Sequence, residues 1–266
     1  MEKDFLYEYV EAGDPKVIKH IEDDDYDYYI ARVNKKPDSK KYMYVYLYDT
    51  GYASAKFPKI PKDIYYLDID FTGSEIEYPE IPKNIKSLTF YGSRNSKFPK
   101  DLPKGLLRLS FSECVNINEI PDISYLKKLR SFEFFKSSHM KDINSRHLPK
   151  KLEKLQINFS GLTKFPKNLP KTLTYIDLGN QKITTFPNIN YLEKLKKFIM
   201  SRNPLNSFPK EPPRKDIYIE LVNMNYPIIE RGMVYPPPGY IPNKLKKVFD
   251  KAYTRCQPTL IFDKLL

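Results

Sequence analysis

An apolar-x-apolar triplet recurs along this chain every 21 to 23 residues, and that period leaves few folds open. The pairs are Tyr46/Tyr48, Leu67/Ile69, Leu88/Phe90, Leu109/Phe111, Phe132/Phe134, Leu155/Ile157, Ile176/Leu178, Phe198/Met200 and Ile219/Leu221. A third apolar residue stands three positions before most of them, at Ile64, Ile85, Leu106, Leu129, Leu152, Leu173 and Leu195. A unit of this length cannot bury its own apolar face. It has to stack on its neighbours, and the stack presents one long surface suited to gripping another macromolecule.

Alternation across the triplet turns two side chains inward and one outward, as a short strand requires, so adjacent units pair as parallel strands. Beyond most strands a large apolar residue precedes proline, at Phe57-Pro58, Tyr78-Pro79, Phe98-Pro99, Ile120-Pro121, Phe165-Pro166, Phe186-Pro187 and Phe208-Pro209. Proline lacks an N–H and fixes φ, which suits an extended, polyproline-like return segment better than a helix. The return comes in two versions. One carries a second proline, as in FPKIPK, YPEIPK, FPKDLPK and FPKNLPK; in the other that proline gives way to Tyr, as in PDISYLKKL and PNINYLEKL, where a helical turn becomes feasible.

With the unit from Phe165 to Pro187, FPKNLPKTLTYIDLGNQKITTFP, the phrasing resembles the leucine-rich repeat, in particular the short repeats of bacterial effector proteins. The Tyr version is similar to the 22-residue type of eukaryotic phosphatase-regulating repeat proteins. The resemblance spans residues 41–223 and implies a β-rich α/β solenoid. This would be a right-handed superhelix with short parallel strands on its concave face, mostly extended return segments and terminal caps. The family places Asn five residues after the first strand leucine, and here only Asn203 fills that slot. Thr72, Ser93, Cys114, Ser137, Ser160 and Gln181 stand elsewhere in the series, so a looser ladder of inter-coil hydrogen bonds is expected.

A solenoid needs caps over its ends. Residues 1–40 are read as an N-terminal cap, with a short helix at 14–21 and a Tyr-rich strand at 26–33 forming a hairpin with the strand at 42–48. Residues 224–266 are read as a C-terminal cap, in which Leu245, Val248, Phe249, Ala252 and Tyr253 follow the spacing of an amphipathic helix. The acidic run at 22–25 lacks the glycine and terminal glutamate of a calcium loop, and no metal site is expected there.

The net charge is +12, so the position of the lysines decides what the charge can do. Nine follow proline in the returns: Lys59, Lys62, Lys83, Lys100, Lys104, Lys150, Lys167, Lys171 and Lys210. The outward strand positions are mixed in charge and rich in aromatics. The candidate partner-binding set is Tyr66, Asp68, Asp70, Tyr91, Arg108, Glu133, Phe135, Lys154, Asn158, Tyr175 and Asp177. Rigid aromatics dominate interface energetics, which favours a non-enzymatic scaffold holding a protein partner on its concave face. The alternative is a binder of RNA or anionic membrane through the Pro-Lys ridge.

The sequence offers no catalytic constellation. His20, His139 and His147 fall in different segments, there is no Gly-rich phosphate loop, and Cys114 and Cys256 make neither a disulfide framework nor a metal pattern. Cys114 fits as the ladder residue of its repeat. Bacterial effectors with such repeats often carry a ubiquitin-ligase domain with Cys-x-Asp, which Cys256-Gln257-Pro258 does not match. No cofactor is expected. With no run of 18 apolar residues and acids within MEKDFLYEYV, the chain is expected to be a soluble cytoplasmic monomer. Heavy use of Lys, Ile, Tyr and Asn resembles, in composition, the leucine-rich repeat proteins of giant DNA viruses that infect amoebae, which would make the partner a host protein.

Overall fold

The computed structural model describes residues 9–11, 29–35, 41–47, 60, 62–71, 77–136, 140, 142–207, 213–214 and 216–221. The expected helices at 14–21 and 244–253, the acidic run, Cys256, His20, His139, Lys59, Lys210, Thr72 and Ser137 lie outside the described residues.

One 11-stranded sheet runs in chain order. Its strands are β1 Tyr9–Glu11, β2 Tyr29–Lys35, β3 Lys41–Leu47, β4 Ile64–Asp70, β5 Ser87–Tyr91, β6 Arg108–Ser112, β7 Ser131–Phe135, β8 Lys154–Asn158, β9 Tyr175–Asp177, β10 Lys197–Ile199 and β11 Tyr218–Glu220. β1 pairs with β2 in parallel, and β2 with β3 antiparallel. From β3 to β11 every pairing is parallel, with one return segment between strands, so the chain winds as a solenoid.

The registers align the predicted pairs from Leu67/Ile69 onward: Leu67, Leu88, Leu109, Phe132, Leu155, Ile176, Phe198 and Ile219 form one inward row. The first coil departs from expectation. Leu67 faces Met43 and Ile69 faces Val45, not Tyr46 and Tyr48. The shift is three residues, an odd number, and an odd slip turns the opposite set of side chains to the core. Val45 is fully buried as a result. β3 is also the second strand of a hairpin, and that pairing sets its register independently of the repeat period.

The core is continuous from coil to coil. Phenylalanines at one strand position stack along the axis, Phe90 on Phe111 at 5.1 Å and Phe111 near Phe134 at 5.5 Å between ring centres. The phenylalanines that precede proline close the core from below: Phe98 lies 4.4 Å from Phe111, while Phe165 and Phe186 meet Phe198 edge-on at 5.9 and 5.6 Å.

The two kinds of return differ by one amide proton. In every coil from β5 to β10 the residue three before the last buried leucine or isoleucine offers its carbonyl to that residue's N–H, as in Ile85 to Pro82, Leu106 to Pro103 and Leu129 to Leu126. Where that position is Leu126 or Leu192 in place of proline, its own N–H closes a preceding turn, to Ile123 and Ile189, both at 3.0 Å. Proline has no hydrogen to do so. The residue that takes the place of proline is thus leucine, and Tyr125 and Tyr191 stand one position earlier. The outcome is two consecutive tight turns and no α-helix. Among the described residues the one helical segment is a 3-10 turn at Ser145–His147, capped by the Asn144 side chain, which accepts from the Arg146 N–H at 3.1 Å.

Tyr191 also stitches coils together, its hydroxyl accepting the Leu169 N–H at 3.2 Å. The Tyr125 hydroxyl is held against the Leu102 backbone in the same way. Both donor amides follow a residue with left-handed backbone, Asp101 at φ 53° and Asn168 at φ 54°.

The ladder slot is uneven, as its composition implies. Asn203 donates to the carbonyls of Leu178 and Met200 and accepts the Ile183 N–H at 3.1 Å. Gln181 likewise donates to Ile157 and accepts from Leu162. Ser160 reaches only the Asn158 carbonyl of its own coil. Cys114 is buried with its sulfur 3.8 Å from the Phe90 carbonyl, and burial pushes its thiol up to about 12, so it stays protonated and structural.

Candidate functional site

The outward strand positions form three rows across the sheet. The first runs Tyr66, Ser87, Arg108, Ser131, Lys154, Tyr175, Lys197, Tyr218. The second runs Asp68, Thr89, Ser110, Glu133, Gln156, Asp177, Ile199, Glu220, and the third Asp70, Tyr91, Ser112, Phe135, Asn158. All eleven residues singled out from the sequence lie in these rows.

Glu133 is the hub. Arg108 grips it with two hydrogen bonds, Nη2 at 2.8 Å and Nε at 3.3 Å, Lys154 reaches it at 2.8 Å, and the Ser131 hydroxyl donates at 3.0 Å. Its side chain is 16% exposed. Burial opposes ionisation, but the hydrogen bonds and charges of Arg108 and Lys154 outweigh it and bring the carboxyl down to about 2. The same contacts hold the Arg108 guanidinium above its ordinary value.

The lattice continues toward the later coils. Lys154 lies 5.4 Å from the Tyr175 ring centre, and Lys197 lies 5.8 Å from Tyr175 and 5.2 Å from Tyr218. Lys197 also faces Glu220 at 3.8 Å. Burial, with the charges of Asp177 and Glu220, pushes the Tyr175 hydroxyl up to about 12. Burial and Asp68 raise Tyr91 as well. These phenols remain neutral donors across the working pH range.

Asn158 and Asp177 have a different place. Both are buried; Asn158 donates to Asp177 at 3.2 Å and Asp177 accepts the Gly179 N–H at 3.0 Å. They bind strand to strand and offer little surface.

One residue of the face escaped the sequence reading. The residue five positions after the first of each strand from β5 to β10 has a left-handed backbone: Gly92, Glu113, Lys136, Phe159, Asn180 and Arg202, with φ from 55° to 63°. At Gly92, Glu113, Lys136 and Asn180 the N–H extends the ladder by one bond, as from Gly92 to Ser112 and Lys136 to Asn158, and the chain then swings off the sheet. Glycine and asparagine tolerate this conformation, while a bulky aromatic there is an outlier. Phe159 is that aromatic, 40% exposed, with its ring edge-to-face against Phe135 at 5.3 Å. The Lys136 ammonium lies 5.6 Å from the Phe135 ring and is paired with Glu113 at 2.6 Å. An aromatic in a slot otherwise filled by small or charged residues was the available signal.

Of the histidines, His147 is described, and it joins coils. Its Nδ1 is 3.1 Å from the Ile120 carbonyl and its Nε2 3.0 Å from the Asn144 amide. Among the described residues no three metal-ligating side chains gather.

No protein-family model matches the chain, and no curated protein matches it. Among solved structures it is similar to YopM from Yersinia enterocolitica WA-314, at 21% identity and a TM-score of 0.46, over 68% of this chain and 37% of that one. This chain therefore corresponds to a little over a third of that protein. The strand register and the shared core establish the fold by themselves: it is a leucine-rich-repeat solenoid.

Proposed function

We propose that the outward strand face holds a protein partner, with Phe135 and Phe159 as its apolar anchor and the lattice around Glu133 as its polar surround. The observation that carries this reading is the pair itself. Two phenylalanines meet edge-to-face at the surface, Phe135 half-buried and Phe159 exposed on a strained backbone, beside charges that are already ordered. Strain of this kind costs about 1–2 kcal/mol, and Phe159 is not in the core, so the free chain offsets it only through the contact with Phe135. A partner that covers both rings recovers that cost, and rigid aromatics bordered by fixed charges suit such a surface.

The test is capture of partner from cell extract on the immobilised full chain, compared with the double variant Phe135→Ala, Phe159→Gly. We expect capture to fall at least tenfold while the melting temperature holds or rises. Leu107→Ser, which removes an exposed apolar side chain elsewhere, should leave capture unchanged. Equal capture by the double variant would rule the strand face out.

A further inference from the structure

Six lysines occupy one position in six consecutive coils: Lys62, Lys83, Lys104, Lys127, Lys150 and Lys171, each four residues before the first outward residue of its strand. The last five are the second residue of a tight turn closed by a backbone hydrogen bond, from Ile85 to Pro82 at 3.2 Å through Leu173 to Pro170 at 3.1 Å. A side chain at that corner points away from the chain on both sides. All six are exposed. Stacked coils repeat at about 4.8 Å, so the six form a line roughly 25 Å long beside the strand ends.

The line is uncompensated. Among the described residues none of these six ammonium groups makes an ion pair, whereas Lys136, Lys154, Lys196 and Lys197 each face a carboxylate. Glu153, beside this edge, is taken by Arg130 at 3.2 Å, and Asp216 by Lys196 and Arg214. Simple solubility does not require the same residue at the same corner six times.

We propose that this row binds the phosphodiester backbone of a single-stranded nucleic acid laid along the solenoid axis. The charges are in single file, matching an anion that is also in single file. The residue after each lysine is Asp63, Asn84, Gly105, Lys128, Lys151 or Thr172, so the row doubles at two of its six coils and stays single file at the other four, short of the continuous basic plane a membrane would need. A duplex carries two strands, about one charge per 1.7 Å of axis, and one row addresses only one of them. The contacts are to phosphate alone, so binding is indifferent to base sequence. The site is separate from the strand face and stands or falls independently of its proposed partner.

The experiment is fluorescence anisotropy of the full chain with a labelled oligouridylate of about 20 nucleotides across salt concentrations. Each phosphate contact on a single strand contributes about −0.7 to the slope of log K against log salt, so six contacts give a slope near −4 and a loss of a few hundredfold between about 50 and 200 mM salt. The triple variant Lys83→Gln, Lys104→Gln, Lys150→Gln should halve that slope. Arginine at the same three sites should preserve it, and circular dichroism checks that every variant is folded. A control of equal charge, Lys97→Gln, Lys164→Gln, Lys182→Gln, should keep the wild-type slope. The proposal is overturned if the control behaves like the triple variant, if the triple variant keeps the full slope, or if phosphatidylserine vesicles bind with this lysine dependence while the oligonucleotide does not.

Discussion

At the scale of single residues, Glu133 shows how much one carboxylate on the strand face organises. Its pKa is depressed in the folded chain from an ordinary 4.5 to about 2, against a desolvation that acts the other way. A depressed carboxylate contributes stability that is present above its unfolded pKa and is lost as pH falls through its folded one. The window is therefore between about pH 4.5 and 2. Arg108 and Lys154 are each more than a third exposed, so solvent screening cuts the contribution to roughly 1–2 kcal/mol. Glu133→Gln should lower stability by about that amount at neutral pH and flatten the acid limb of a urea-denaturation series. An unchanged acid limb would show that Glu133 is solvated in the folded chain. The candidate residues were legible because alternation assigns every second strand residue outward. Their pairing was not: Arg108, Glu133 and Lys154 lie more than 20 residues apart in sequence and meet only because register places their strands side by side.

At the scale of the element, the return segment illustrates how a local rule produces a tertiary consequence. Replacing proline by leucine restores one N–H, which adds a turn, and the tyrosine before that leucine then bonds the coil above. Tyr191→Phe keeps the ring and leaves the Leu169 N–H without its acceptor, which should cost about 1–2 kcal/mol in denaturant unfolding. The ladder slot supplies a paired comparison. Asn203→Ala strands two carbonyls and one N–H in the interior, for an expected loss of about 2–4 kcal/mol, while Ser160→Ala removes one bond within its own coil and should cost about 1 kcal/mol or less. Equal losses would mean that the slot does not join coils. That the ladder would be irregular could be read from Ser, Cys and Gln in the Asn slot. Which of them still bridge depended on side-chain reach, and Gln181 bridges because its extra methylene lets it span the gap that Ser160 cannot.

At the scale of the whole molecule, the coils contact only their neighbours, so stability is close to a sum of coil and interface contributions and opening spreads from the ends. Amide hydrogen exchange should be slowest in β6 to β8 and faster outward along the stack. Uniform protection from β4 to β11 would contradict a nearest-neighbour array. The lysine row adds a global term of opposite sign. Unit charges about 5 Å apart repel by roughly 0.8 kcal/mol per pair even in water, and flexible stems and salt reduce this without removing it. The melting temperature should therefore rise between low and moderate salt, and rise less in the triple lysine variant.

Periodicity alone determined that this chain is a solenoid, which strand residues enter its core from β4 onward and where its lysines sit. Each follows from a short unit that must stack, and a repeat imposes the same choice many times over. Tertiary structure decided the rest. The hairpin moved the first strand by three residues, because its register answers to β2 as well as to β4. Stacking brought Phe159 against Phe135 and closed Arg108 and Lys154 around Glu133. Contacts between coils depend on register and reach, and neither quantity is written in any single unit.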